Sequence, residues 1–248
     1  MAVALLAALS AGGVAQADAI APGGSITGVV ITGDTSIYNI FGHDDPGVGV
    51  DSPAFLVTFA AGAGNVFDVT ARGEIGCCGG ATNQGPDGGA GPMSITGANG
   101  LSSLSGNGQI PVVGVFTTDT DPFGSAPPAA LTFDANNPAS IAPLLNQVFY
   151  IGDGLTGFAD PNGALLNFIA PPDATRLYIG LIDGYSFTGP TGWYHDNPGS
   201  FTVAVHLNNE ASVTPGGVPE PATWALMILG FAGAGGALRR RRPAAVAA

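Results

Sequence analysis

The sequence predicts an all-β protein, an antiparallel β-sandwich of the jelly-roll kind. Forty glycines and 20 prolines in 248 residues cut every regular element short. Between them, short apolar, β-branched and aromatic runs recur at near-regular spacing, bounded by Gly, Pro, Asn and Asp, as strands are. No stretch between the two chain ends reads as a helix.

The elements follow in order. Met1–Ala17 (MAVALLAALSAGGVAQA) is an apolar segment closing on Ala15-Gln16-Ala17, the small-x-small pattern of a signal-peptide cleavage site, although no basic residue follows Met1. Residues 18–207 form the sandwich. Its first strands are Ile26–Ile31, Ser36–Phe41, Ala54–Ala60 and Asn65–Thr70, the last two reading as a hairpin. Gly73–Gly108, dense in Gly, Asn and Ser, reads as one long loop. Strands resume at Ile110–Thr118, Ala129–Phe133, Leu144–Gly152, Ala164–Ile169, Thr175–Asp183 and Ser200–Leu207. In the last, Phe201, Val203, Val205 and Leu207 take one face, and Thr202, Ala204 and His206 take the other. Residues 208–217 are a linker.

The C-terminal segment 218–242 has three parts. Pro219-Glu220-Pro221 holds the backbone extended. From Ala222 to Leu238 no residue is charged, 17 in all, the short limit for a transmembrane helix, and Trp224 sits where an interfacial aromatic belongs. Arg239, Arg240, Arg241 and Arg242 then hold that end on the cytoplasmic side.

Composition narrows the function classes. Lysine is absent, and ahead of the arginine block only Arg72 and Arg176 oppose 18 acids, a net charge of −16. That charge excludes nucleic acid and anionic lipid surfaces as partners and suits a soluble exported protein or one that gathers divalent cations. Cys77 and Cys78 are the two cysteines and are adjacent. In an oxidising compartment they would form a vicinal disulfide or an interchain bridge, and neither zinc nor redox CxxC spacing is present.

No G-x-S-x-G elbow, H-E-x-x-H helix or phosphate-binding loop occurs, and the chain is expected not to be an enzyme. Asp119-Thr120-Asp121 opens like a calcium-binding EF-hand loop, but Phe123 and Ala130 stand where later ligands belong. A better candidate lies in the last third. Asp183 ends a strand, and Trp193-Tyr194-His195-Asp196-Asn197 precedes the final one. Two loops at one end of a sandwich can bring Asp183, Asp196 and Asn197 together with the main-chain carbonyl of Trp193 or Tyr194, the hard oxygen donors that Ca2+ takes. The alternative is that Asp183 caps a turn and Asp196-Asn197-Pro198-Gly199 is itself only a turn. Trp193, Tyr194 and His195 would contact a carbohydrate, whose C–H face stacks on aromatic rings.

Two resemblances enter on these residues. Val218-Pro219-Glu220-Pro221, Trp224-Ala225, the apolar run and the arginine block resemble the PEP-CTERM sorting signal in its PEPxxWA form, a family also labelled the ice-binding protein C-terminal domain. That resemblance implies export, transient anchoring in the inner membrane, processing by an exosortase-type protease, and a final place at the cell surface or outside. An ice-binding face would call for regular threonine arrays, which the sequence lacks. Asn146–Leu207 resembles the C-terminal half of PA-IL-like calcium-dependent galactose-binding lectins: an Ile-Gly strand, a Phe-x-Ala-Pro step, an apolar strand ending in Asp, and Asx-Asx-x-Gly-Ser-Phe. It implies a galactose-binding-like sandwich with calcium held by Asp183, Asp196, Asn197 and a carbonyl at Trp193 or Tyr194, the metal in turn holding two sugar hydroxyls. Here Asp196 replaces an Asn of the family, roughly Thr96–Pro143 are extra, and the family's first calcium loop falls near Ala71–Cys78 without its Tyr. The expected function is a surface-sorted protein binding calcium and a carbohydrate or exopolysaccharide. A structural matrix protein is the alternative, and a hydrolase comes last.

Overall fold

A computed structural model describes residues 17–49, 51–133 and 139–209. In chain order its strands are β1 (Ala17–Ala19), β2 (Ser25–Thr32), β3 (Thr35–Ser36), β4 (Ser52–Pro53), β5 (Phe55–Thr58), β6 (Asn65–Ile75), β7 (Gly89–Thr96) and β8 (Leu104–Gln109). They continue with β9 (Val112–Thr117), β10 (Leu131–Phe133), β11 (Ser140–Ile141), β12 (Val148–Tyr150), β13 (Asn167–Ile169), β14 (Arg176–Leu181), β15 (Thr188–Pro190) and β16 (Gly199–Asn209). Two 3-10 turns, Tyr185–Phe187 and Tyr194–Asp196, are the helical elements among the described residues.

The strands form three sheets. The middle one runs β1-β5-β14-β9-β12, with β3 and β4 continuing beside the far end of β14. One outer sheet is β11-β13-β6-β16-β2 and the other is β10-β8-β7-β15. Side chains of the middle sheet alternate between two cores. Val112, Phe116, Phe149, Leu177 and Ile179 pack with Phe67, Val69, Phe168, Phe201 and Val203 of the five-stranded sheet. Val113, Val115, Tyr150 and Tyr178 pack with Met93, Ile95, Leu104 and Phe133 of the four-stranded sheet. The middle sheet is therefore buried on both faces, which is why VVGVF and LYIGLI are continuous apolar runs while β16 alternates.

The all-β, sandwich-like expectation holds, with corrections. The two-sheet antiparallel jelly roll becomes three layers, and several pairings are parallel, among them β1 with β5 and β15 with β7. Ala54–Ala60 and Asn65–Thr70 are not a hairpin. β5 and β6 lie in different sheets and face each other across a core, with the Phe59 and Phe67 rings 4.8 Å apart. Gly73–Gly108 is not one loop, because β7 and β8 form an antiparallel hairpin within it. Its apolar signal is sparse because one face alone is covered, by Met93, Ile95 and Leu104. Ser36–Phe41 leaves the strand after Ser36 and turns, burying Ile37, Tyr38 and Ile40, with Phe41 at a left-handed φ of 55°.

At the ends, Ala17 is the first residue of β1, opposite Leu56, and β16 runs on through Asn208 to Asn209, opposite Asn65, where a linker was expected from residue 208. The signal segment up to Gln16, with Ala15, lies outside the described residues. So do residues 210–217, expected as a linker, and the segment 218–242, with the helix expected over 222–238. Among the described residues no helix is long and apolar enough to cross a membrane.

Candidate functional site

The site begins where β14 ends. Because that strand is covered on both faces, the residue two positions past it, Asp183, is delivered into the interior and is 3 % exposed. Its Oδ1 accepts the Gly184 N–H at 2.7 Å, and its Oδ2 accepts the Asn197 side-chain amide at 2.8 Å. Burial pushes the Asp183 carboxyl up to about 7; the hydrogen bonds from Asn197 and Gly184 pull the other way, and the nearby Asp196 charge adds to the rise.

From Gly184 the chain leaves to form β15 in the four-stranded sheet and returns at Thr191, which bridges Gly184; the Gly192 N–H then donates to the Asp183 carbonyl at 3.2 Å. Trp193 follows at a left-handed φ of 74°, its N–H on the Val48 carbonyl at 2.8 Å, and this sharp reversal opens the turn Tyr194–Asp196. Asn197 is thereby set against Gly33, where any Cβ would overlap the Asn197 main chain. Its amide nitrogen lies 3.4 Å from the Gly33 carbonyl, while its Oδ1 is buried and without a partner.

Asp183 and Asn197, expected as neighbours, are thus in direct contact. Asp196 is half-buried on the same turn, and its carbonyl accepts the Gly79 N–H at 2.7 Å. The carbonyls of Trp193 and Tyr194 accept N–H groups of that turn, from Asp196 at 3.5 Å and Asn197 at 3.2 Å. Among the described residues no group of three or more His, Cys, Asp or Glu side chains converges as a metal cage.

The aromatic residues divide. The Tyr194 ring is 2 % exposed and belongs to the core, so it offers no face to a sugar. Its hydroxyl accepts the Asp183 N–H at 3.2 Å and pairs with Thr191 Oγ1 at 2.8 Å. Since the Thr191 hydroxyl donates to Asp45, that of Tyr194 donates to Thr191. Burial first, then the Asp45 charge, holds the Tyr194 phenol well above its ordinary range. Trp193 is half-buried and His195 exposed, with ring centroids 5.9 Å apart. Tyr185, which sequence reasoning missed, extends the row 5.3 Å beyond Trp193 and is 67 % exposed. Gly49, at φ 108°, backs onto the His195 ring where a side chain could not fit. His195 in turn lines an open groove with Asp34, Gly79, Asp196, Asn197 and Pro198.

Cys77 and Cys78 are joined in a vicinal disulfide on a turn beside this groove. His206 points outward from β16 with its Nδ1 3.9 Å from Asp68, and His43 pairs with Asp121 at 2.7 Å under the exposed Phe123 ring. Two buried acids are structural. Asp45 accepts Ser36 and Thr191 hydroxyls, and Asp87 accepts the Tyr150 hydroxyl and the Asp153 and Ala159 N–H groups.

Residues 217–242 match the family described as the PEP-CTERM protein-sorting motif. No curated protein and no solved structure matches the chain. The lectin resemblance of Asn146–Leu207 accordingly has no counterpart in these comparisons. The C-terminal match supplies an address: the chain carries a PEP-CTERM signal of the kind that exosortase processes, and that motif implies export and a membrane-anchored sorting step.

Proposed function

We propose that this exported protein binds calcium at Asp183, Asn197 and Asp196 and, next to it, a carbohydrate such as an exopolysaccharide on Tyr185, Trp193 and His195. It would be a binding protein and not an enzyme. The observation that carries the reading is the buried Asp183 carboxylate beside an amide whose Oδ1 has no partner. A buried ionised carboxyl without a counter-charge is costly, and a cation removes that cost. Turning the Asn197 amide over would exchange its nitrogen for Oδ1 beside Asp183 and the Gly33 carbonyl, giving three oxygens of the kind calcium takes, beside which the Asp196 charge adds attraction for the ion. Calcium needs six to eight, so water and sugar hydroxyls would complete the set. The row Tyr185–Trp193–His195, ending in the groove that Asp196 and Asn197 line, offers faces on which a sugar ring can lie.

One observation favours a second reading. Asp183 already accepts two hydrogen bonds, so the Asp183–Asn197 pair can serve as a staple in a structural matrix protein. Calcium titration of the full chain followed by thermal shift, then a glycan array with and without calcium, separates the two. Binding at 100 times Kd would add about 2.7 kcal/mol of stability. A melting temperature unmoved by millimolar calcium removes the calcium reading, and a rise without glycan binding leaves the structural one.

A further inference from the structure

We propose that the Cys77–Cys78 disulfide is an export-linked latch on the Asp196–Pro198 loop, which takes its binding conformation only once the chain has left a reducing compartment. The identity of the ligand rests on the reading above; the latch rests on main-chain contacts alone.

Two hydrogen bonds tie the cysteine turn to that loop, and they straddle Asn197. The Gly79 N–H donates to the Asp196 carbonyl at 2.7 Å, and the Gly76 N–H donates to the Pro198 carbonyl at 2.7 Å. Within the turn, the Gly80 N–H closes on the Cys77 carbonyl at 2.8 Å. Cys77 is half-buried against the core and is the fixed end; Cys78 is exposed. Cys78 also holds a φ of 61°, a left-handed conformation that a side chain disfavours. The covalent link between the two residues removes the chain freedom through which Cys78 would escape it. With the link open, Cys78 relaxes, the Gly79 N–H turns away from Asp196, and the loop presenting Asp196 and Asn197 loses its outer support. Opening is a thiol–disulfide exchange. A dithiol supplies two electrons and two protons, the S–S bond breaks, two S–H bonds form, and the dithiol leaves as its own disulfide. Cytosolic thiols stay reduced and exported ones oxidise, so export sets the latch.

The experiment compares the oxidised full chain with the same chain in excess dithiothreitol and with the Cys77→Ser/Cys78→Ser variant. Amide exchange is followed at Gly76, Gly79 and Asn197, with Val113 and Val115 of β9 as the fold's own control. The latch predicts that the three loop amides exchange about tenfold faster after reduction while the β9 amides stay protected. Calcium alone should bind several-fold more weakly to the reduced chain, and the serine variant should match the reduced protein and ignore dithiothreitol. Equal loop exchange in both states overturns the latch, even if calcium binds. Faster loop exchange with no calcium binding in either state keeps the latch and removes the calcium reading. Should the serine variant fail to fold, the comparison with dithiothreitol on the native sequence decides.

Discussion

The side-chain amide of Asn197 donates to the Asp183 carboxylate at 2.8 Å while the carbonyl oxygen of the same amide has no partner. An acid and a half-satisfied amide, both buried, form an arrangement that a proton or a cation can improve.

The first prediction concerns the proton. The Asp183 carboxyl is held at about 7 from an ordinary 3.8, so across that interval the folded chain keeps a proton that the unfolded chain has released. Stability from this group is therefore lost as pH rises through the window and is level above it, with a full span of about 4 kcal/mol as an upper bound. Asp51 and Asp153 are also raised, by burial first, so the native chain alone does not isolate the effect. The difference between Asp183→Asn and the native chain does. In chelator, Asp183→Asn should be more stable by roughly 1–3 kcal/mol at pH 7.5 and should lose that advantage near pH 4. Urea denaturation at the two pH values measures it. A native chain that is the more stable at pH 7.5 without calcium would contradict the uncompensated carboxylate.

The same variant tests the cation. Millimolar calcium should reverse the order at pH 7.5, stabilising the native chain and leaving Asp183→Asn unmoved, because the neutral amide gives up the charge that holds the ion. Differential scanning fluorimetry reads this directly. An equal shift in both proteins would place calcium elsewhere.

A third prediction concerns Asp87, whose carboxylate gathers the Tyr150 hydroxyl and the N–H groups of Asp153 and Ala159. Asp87→Ala strands three donors around a 4 % exposed position and should cost roughly 2–5 kcal/mol, whereas Asp87→Asn keeps one acceptor and should cost less. Denaturant midpoints at constant m-value check the ranking. A loss under 1 kcal/mol for Asp87→Ala would show that water replaces the carboxylate.

These acids also mark where the sequence was legible and where it was not. The alternation of β16 and the apolar runs of β9 and β14 identified those strands. The doubly apolar character of VVGVF and LYIGLI, read correctly, also announced a sheet covered on both faces. The hairpin β7–β8 was hidden because its few apolar residues stand among Gly, Ser and Pro. The burial of Asp45 and Asp87 could not be read from the sequence because it depends on donors 146 and 63 residues away, Thr191 and Tyr150. Asp183 and Asn197 were legible as a pair, since each abuts a strand end and two loops at one end of a sandwich can meet. Tyr185 was not, since its place beside Trp193 depends on the excursion through β15.

The aromatic pair Trp193 and Tyr194 should separate into a binding role and a structural one. Trp193→Ala and Tyr185→Ala should each weaken glycan binding about tenfold or more with little change in stability, stacking being worth roughly 1 kcal/mol or more per ring. Tyr194→Phe should do the opposite. It removes the acceptor of the Asp183 N–H and the partner of Thr191, costs about 1–2 kcal/mol, and leaves glycan affinity within a factor of about two. A glycan array paired with thermal denaturation distinguishes the outcomes, and the division fails if Tyr194→Phe alone abolishes binding.

The last prediction concerns the address. Pro219-Glu220-Pro221 and the block Arg239–Arg242 lie at opposite ends of an uncharged run and should fail differently when altered. Replacing Pro219, Glu220 and Pro221 by alanine removes the Pro-Glu-Pro part of the sorting signal, while the run and its arginines remain. The full-length chain should then accumulate in the membrane fraction. Replacing Arg239, Arg240, Arg241 and Arg242 by serine removes the charges that resist passage, each costing roughly 2.5–3.5 kcal/mol at the centre of the bilayer. That chain should escape the membrane before it is cut and appear outside the cell with its tail intact. Intact mass of the membrane and extracellular fractions tells the two apart, and identical processing of both variants and the native chain would remove the segment from the sorting pathway.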